Sequence, residues 1–378
     1  MASIVSSVGS GSGSSSSSGT TGRIVDPSLP PFNAVGNGTT NDQVALSNAL
    51  ATLVSGDTLL INAGKVYAHS GVLSLTTPGV TVRGGGTLRA TSQTTSAFKV
   101  TTTAHNCTID GVTFELTGRT SRGSSGDHHK LVIDRNTGFI GRRIRIVGSH
   151  AVGIFVFGAT DYLLDAPVVS NTAADGIHQT FGAQRGLVRD PLVIAPEDDG
   201  VAVVSYVADG QLCQDIVVTG AVVRNQAVSG RGLTCVGGTR VRFTDFEVDG
   251  SYAAAAMAAC EAGWNTYACT DVKFEQGRIN NANTGAPVLQ HGAVLNVCDN
   301  PGRVNTGVVF RDITITNTDV DAPRIIGLQS WNGGTTTNAL VEDIRIEQAT
   351  ANPSQNLFVD TAAVTYRATR ITRNGTAV

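Results

Sequence analysis

The sequence predicts an all-β chain wound into a single parallel β-solenoid. Three observations predict it. A short apolar-x-x-apolar-x-apolar motif returns along most of the chain. Its period-two alternation, bounded by Asp, Asn and Gly, is that of short strands closed by turns. And only one segment carries helical periodicity, at the N-terminal end. The composition agrees: of 378 residues, 15% are charged and 44 are glycine, against roughly 25% and 7% in ordinary soluble domains. Helical bundles and coiled coils need long Ala, Glu, Lys and Leu runs that are missing. With 41% hydrophobic residues and a net charge of −3, the bulk of the chain can bury a core and offers no electrostatic footprint for nucleic acid.

The motif appears as IDGVTF (109–114), VRDPLV (188–193), VTGAVV (218–223), FTDFEV (243–248), FRDITI (310–315) and VEDIRI (341–346), with weaker copies beginning at Ile140, Leu164 and Phe274. From 109 to 341 there are eight steps of 24 to 36 residues, averaging about 29. Periods of this length with several short strands each describe a solenoid. Leucine-rich repeats would show LxxLxL, and propeller blades would need periods near 40. About ten coils at ~4.8 Å each would give a rod near 50 Å long, with the longer coils throwing loops outward to wall a groove.

Residues 32–378 are read as this one domain and residues 1–31 as a flexible Gly/Ser-rich segment, its core the stretch from Ser6 to Gly22. Val44, Ala45, Leu46, Ala49, Leu50 and Leu53 fall on one helical stripe behind the cap candidates Thr39, Thr40 and Asn41. A helix over about 40–53 would cap the exposed end of the sheet. No apolar run is long enough to span a membrane. The first charged residue is Arg23, so no signal peptide is visible. Six cysteines show no zinc spacing and read as small interior hydrophobes, with Cys260 and Cys269 the one close pair.

A second register places chemistry. Gly153, Gly176, Gly200 and Gly232 each open a strand, spaced 23, 24 and 32 residues apart. Residues sharing a solenoid register stack, so Asp175, Asp199 and Arg231 should form a ladder on one outer face, with Asp198 and Glu197 beside it. Two carboxylates about 5 Å apart repel by roughly 3 kcal/mol at an effective dielectric near 20. Ordinary Asp-Gly turn chemistry explains one such acid, but not the Glu197-Asp198-Asp199 run. Shared protons, a bound cation or pairing with Arg231 would make the cluster tolerable, and each is functional.

NTAADGIHQT (171–180), EDDGVAVVSY (197–206) and GRG (230–232) resemble the active-site blocks of polygalacturonase-type family 28 glycoside hydrolases. Those are pectin-lyase-like right-handed β-helices, whose pattern runs NTDG, a DD pair one coil later, then GHG. The opening FNAVGNGTTNDQ is similar to the start of pectate-lyase-superfamily domains in secreted enzymes and phage tailspikes. The resemblance implies a right-handed β-helix and an inverting endo-acting polysaccharide hydrolase. Asp198 would be the general acid, with Asp175 and Asp199 activating water. His178 and His150, aligned near the ladder, together with Arg231 and Glu197, would bind substrate. No cofactor is implied. Arg231 stands where those hydrolases carry histidine, and no RxK follows it. A second reading is therefore a Ca²⁺-dependent lyase with Arg231 as base, and a third is a non-catalytic glycan-binding adhesin. The resemblance also implies an extracellular or virion-associated protein, with a homotrimer or virion attachment through the N-terminal segment as possible partners beyond the polysaccharide. The loop RTSRGSSGDHHK (119–130) reads either as a subsite wall or as a solvated loop. Trp264 and Trp331 read as sugar platforms or as rim packing, and His291 as structural.

Overall fold

The computed structural model describes residues 22–224, 226 and 228–378; residues 6–21, most of the expected flexible stretch, lie outside them. Each central coil contributes three short strands, for example Leu163–Asp165, Val168–Thr172 and Ile177–Thr180. Like strands of successive coils pair in parallel. One face is an unbroken sheet of eleven parallel strands, from Leu73–Leu75 to Leu357–Val359. Ten steps of ~4.8 Å make it about 50 Å tall. The chain forms a single right-handed parallel β-helix.

The motif register holds in atomic detail. Leu164 pairs with Val188, Val188 with Val218, Val218 with Phe243, Phe243 with Phe274, Phe274 with Phe310 and Phe310 with Val341. The rings of Phe243, Phe274 and Phe310 stack at 4.7 and 5.2 Å between centroids and are fully buried. One copy is shifted: Gly141, not Ile140, pairs with Ile109 and Leu164. The third residue of each motif makes the corner. Asp190, Asp245, Asp312 and Asp343 all have φ between 50° and 56°, a left-handed conformation that Asp, Asn and Gly tolerate best.

The helix spans Gln43–Ala51, shorter than 40–53, because Asn37–Asn41 is a strand paired with Val66–His69. Asn41 Oδ1 accepts the Gln43 N–H at 3.1 Å, while the Asp42 carboxylate turns away to the N–H groups of Val35 and Gly36. Leu46, Ala49, Leu50 and Leu53 are buried in the main core; Val44, expected on that stripe, is exposed. The folded body also begins before residue 32. Ile24–Val25 pairs with Thr58–Leu60, and Arg23 Nη2 lies 2.6 Å from Asp57 Oδ2. Cys269 Sγ lies 3.9 Å from Cys235 Sγ, not against Cys260, and all six thiols are free.

Candidate active site

The strand-opening glycines explain how the ladder forms. A Cβ at Gly176 would lie 2.4 Å from Val193 Cγ1, and one at Gly200 2.6 Å from Val223 Cγ1. Gly153 and Gly232 meet Val169 and Val248 in the same way. These glycines therefore face the valine stack of the core, and nothing larger fits. Ile177, next along, also faces the core. Two successive inward residues reset the alternation, which brings Asp175 and His178 to the same outer side.

Backbone bonds run from Gly176 N to Asp199 O and from Gly200 N to Arg231 O. Asp175, Asp199 and Arg231 thus occupy one column in successive coils. Asp175 Oδ1 accepts the Asp199 N–H at 3.1 Å, and Oδ2 is hydrogen-bonded to His178 Nδ1. An ionised carboxylate can only accept, so Nδ1 carries the proton. Arg231 grips Asp199 with two side-chain bonds of 2.9 Å and reaches Glu261 Oε1 at 2.6 Å. Asp198 Oδ2 lies 2.6 Å from Arg122 Nη1. One oxygen from each of Asp175, Asp198 and Asp199 falls within 4.8 Å of the others.

These surroundings divide the acids into two kinds. Burial, then the charges of Asp175 and Asp199, push the Asp198 carboxyl up to about 7, with Arg122 only partly opposing them. Burial also works against ionising Asp175, but the hydrogen bond to His178 and the nearby arginines hold its carboxyl below the usual range. Partial burial works against the charge of Arg231, yet Asp199 and Glu261 fix it in the charged form.

All three acids, His178 and Arg231 line one groove of about 610 Å³. Two expected residues do not line it. Glu197 is turned to Arg119 Nη2 at 2.6 Å, whose hydrogen bond lowers its carboxyl pKa. His150 packs edge-on to His128, 4.9 Å between centroids, beneath the 119–130 loop. That loop is a wall and not a solvated excursion: Arg119 and Arg122 tie it to Glu197 and Asp198, and His129 lines the groove. His129 Nδ1 accepts the Val152 N–H, and its ring stacks on Phe155 at 4.0 Å. Burial, then neighbouring His178, push its pKa down to about 3, so it is neutral. Sequence reasoning missed Glu261, Tyr206, Asp209, Phe155 and Phe157, all lining the same groove. Only Glu261 left a signal, as a lone acid ending the apolar run Ala253–Cys260.

No family sequence model and no curated protein sequence matches the chain. Its fold does match solved structures. The catalytic domain of Agl-KA superposes with a TM-score of 0.73 at 18% identity, over 94% of this chain and 66% of that one. The catalytic unit of a GH87 alpha-1,3-glucanase from Streptomyces thermodiastaticus strain HF3-3 gives 0.65 at 15%, over 93% and 69%. An endo-xylogalacturonan hydrolase from Aspergillus tubingensis gives 0.62 at 16%, over 94% and 98%. The fold shared with them is the right-handed parallel β-helix. The chain spans about two thirds of the length of the first two of these structures, and at such identities the likeness establishes the fold alone. Among the described residues, no helix of this β-helix is long and apolar enough to cross a membrane.

Proposed function

We propose that the protein is a polysaccharide hydrolase in which Asp198 protonates the glycosidic oxygen while Asp175 and Asp199 position and deprotonate water. The observation that carries this reading is the contrast between one carboxyl raised to about 7 and a neighbouring one held low within a single groove. Such a split separates acid from base. Arg122 occupies Oδ2 of Asp198, leaving Oδ1 for the proton.

A second line of support comes from the structural neighbours. Four of the alpha-1,3-glucanase complexes with oligosaccharides are of variants in which one of three aspartates is replaced by alanine; two of those aspartates are adjacent and the third lies 23 residues before the first of them. Asp175, Asp198 and Asp199 have that same spacing.

One oxygen of each acid lies within 4.8 Å of the others, nearer to the ~5–5.5 Å of retaining enzymes than to the ~6.5–9.5 Å usual for inverting ones. Hydrogen bonding argues the other way, and we give it more weight. Each oxygen of Asp175 and Asp199 already accepts a hydrogen bond, from His178, the Asp199 N–H or Arg231; this draws off the charge a nucleophile needs yet leaves each oxygen a second lone pair to accept from a water. Direct attack by water, with inversion, therefore fits better.

A Ca²⁺-dependent lyase fits worse. Calcium takes ~6–8 oxygen ligands, and here the three acids are already bound by Arg122, Arg231 and His178. Arg231, held charged between two carboxylates, is a poor base. The neighbours include alpha-1,3-glucanases and a xylogalacturonan hydrolase, so we propose an extracellular glycan as substrate. The test is incubation with alpha-1,3-glucan, xylogalacturonan and galacturonan, following new reducing ends and their anomeric configuration by proton NMR. Inverted hemiacetal ends support the reading. Retained configuration overturns the single-displacement step, and an unsaturated end overturns hydrolysis.

A further inference from the structure

The groove does not end at the acids. A second cavity of about 730 Å³ adjoins it, sharing Glu261 and Trp264 and reaching Trp331, His291 and Arg324. The strands beneath it run in register, Leu233 to Ala256, Ala256 to Val294 and Val294 to Ile326. Two residues before each strand the column reads Arg231, Ala254, Gly292 and Arg324. Arg324 therefore stands on the same column as Asp175 and Asp199, three coils beyond Arg231, which is about 14 Å at ~4.8 Å per coil. Along the opposite rim, the pairing of Cys260, Cys298 and Ser330 stacks Glu261, Asp299 and Trp331.

Two features of this cavity have no explanation in folding. Trp264 and Trp331 are 70% and 48% exposed, large apolar faces standing at one cleft. And Arg324 carries an uncompensated charge. Arg231 has two carboxylate partners; among the described residues, Arg324 has only a 3.2 Å bond from Nη1 to Gln290 O and the Phe358 ring 4.7 Å beneath it. Its Nε is buried without a partner, and burial draws its pKa down with no acid opposing. Asp299, in the same cavity, is turned to the Ala262 N–H at 2.8 Å. Neutral sugars would be served by the indoles alone. A half-buried guanidinium without a counter-ion gains most from an incoming anion.

We propose that this cavity binds an anionic unit of the polysaccharide, a sugar carrying a carboxylate or a sulfate, with Arg324 reading the charge and Trp264 and Trp331 stacking on the rings. The proposal deepens the hydrolase reading by naming the substrate as acidic at a position several coils from the bond that is cut, and for the location of that bond it rests on that reading.

Affinity electrophoresis of the full chain carrying Asp198→Asn tests it without turnover. The gels contain polygalacturonate or its methyl-esterified form, and sulfated dextran or plain dextran. Retardation should be at least tenfold stronger in the charged member of one pair; the carboxylate and sulfate arms identify which anion is read. Adding Arg324→Gln should remove that preference and Arg324→Lys should restore part of it, with melting curves showing both variants folded. If Arg324→Gln does not fold, Trp331→Ala should weaken retardation by the preferred polymer instead. Equal retardation by charged and uncharged polymers, retardation by none, or a charge preference that survives Arg324→Gln overturns the proposal. Charge-dependent binding by a protein whose unsubstituted form also leaves alpha-1,3-glucan, xylogalacturonan and galacturonan uncut would retire the hydrolase reading and leave this site standing.

Discussion

Replacing Arg122 with Gln should make Asp198 harder to ionise, and the size of the change follows from the geometry. Arg122 Nη1 lies 2.6 Å from Asp198 Oδ2, so the charge centres are about 4 Å apart and attract by roughly 4 kcal/mol at an effective dielectric near 20. The Arg122 side chain is 54% exposed, and solvent screening cuts such pairs to about 1 kcal/mol or little more. That is roughly one pKa unit. Removing a cation raises a carboxyl pKa, so the Asp198 value should move from about 7 toward about 8. A general acid works while protonated; activity is present below that pKa and lost as pH rises through it. The alkaline limb of kcat/KM against pH should therefore shift upward by about one unit in the variant. Carbon-13 NMR titration of the aspartate carboxyls reads the same shift without substrate. A limb that stays in place or moves down, in a folded Arg122→Gln protein, would refute the assignment of Asp198 as the acid that Arg122 tunes.

Other perturbations follow from the same contacts. Arg231→Leu leaves Asp199 and Glu261 without the cation between them and should cost about 3–5 kcal/mol in urea unfolding; an Arg231→Leu protein as stable as the parent would contradict the buried triad. Gly200→Ala places a Cβ 2.6 Å from Val223 Cγ1 and should cost about 1–3 kcal/mol by overpacking. Gly126→Ala, with nothing within 4 Å, should leave the melting temperature unchanged, and the contrast between the two glycines is the check.

Much of the fold was legible because a solenoid writes its geometry into the chain as repetition. Phe243, Phe274 and Phe310 could be aligned by eye and do stack. Ile140 could not, because the residue at that register is Gly141, and a glycine carries no apolar signal. The Asp175–Asp199–Arg231 column was equally legible, since register alone sets it. What register cannot give is the far end of a side chain. Glu197 and Asp198 are neighbours, yet one turns to Arg119 and the other to Arg122. Both arginines come from a loop more than 70 residues earlier, with no periodic signal to place it over the groove. Glu261 was hidden for a similar reason: it meets Arg231 from the opposite rim of the sheet, across strands and not along a column.

The central claim, that successive coils bring three aspartates together to add water across a glycosidic bond, is tested most directly by cleavage in oxygen-18 water. The folded parent should place one heavy oxygen at each new reducing end, and Asp198→Asn should release none while keeping its fold. Products that carry no heavy oxygen, or an Asp198→Asn protein that cuts as fast as its parent, would contradict the claim.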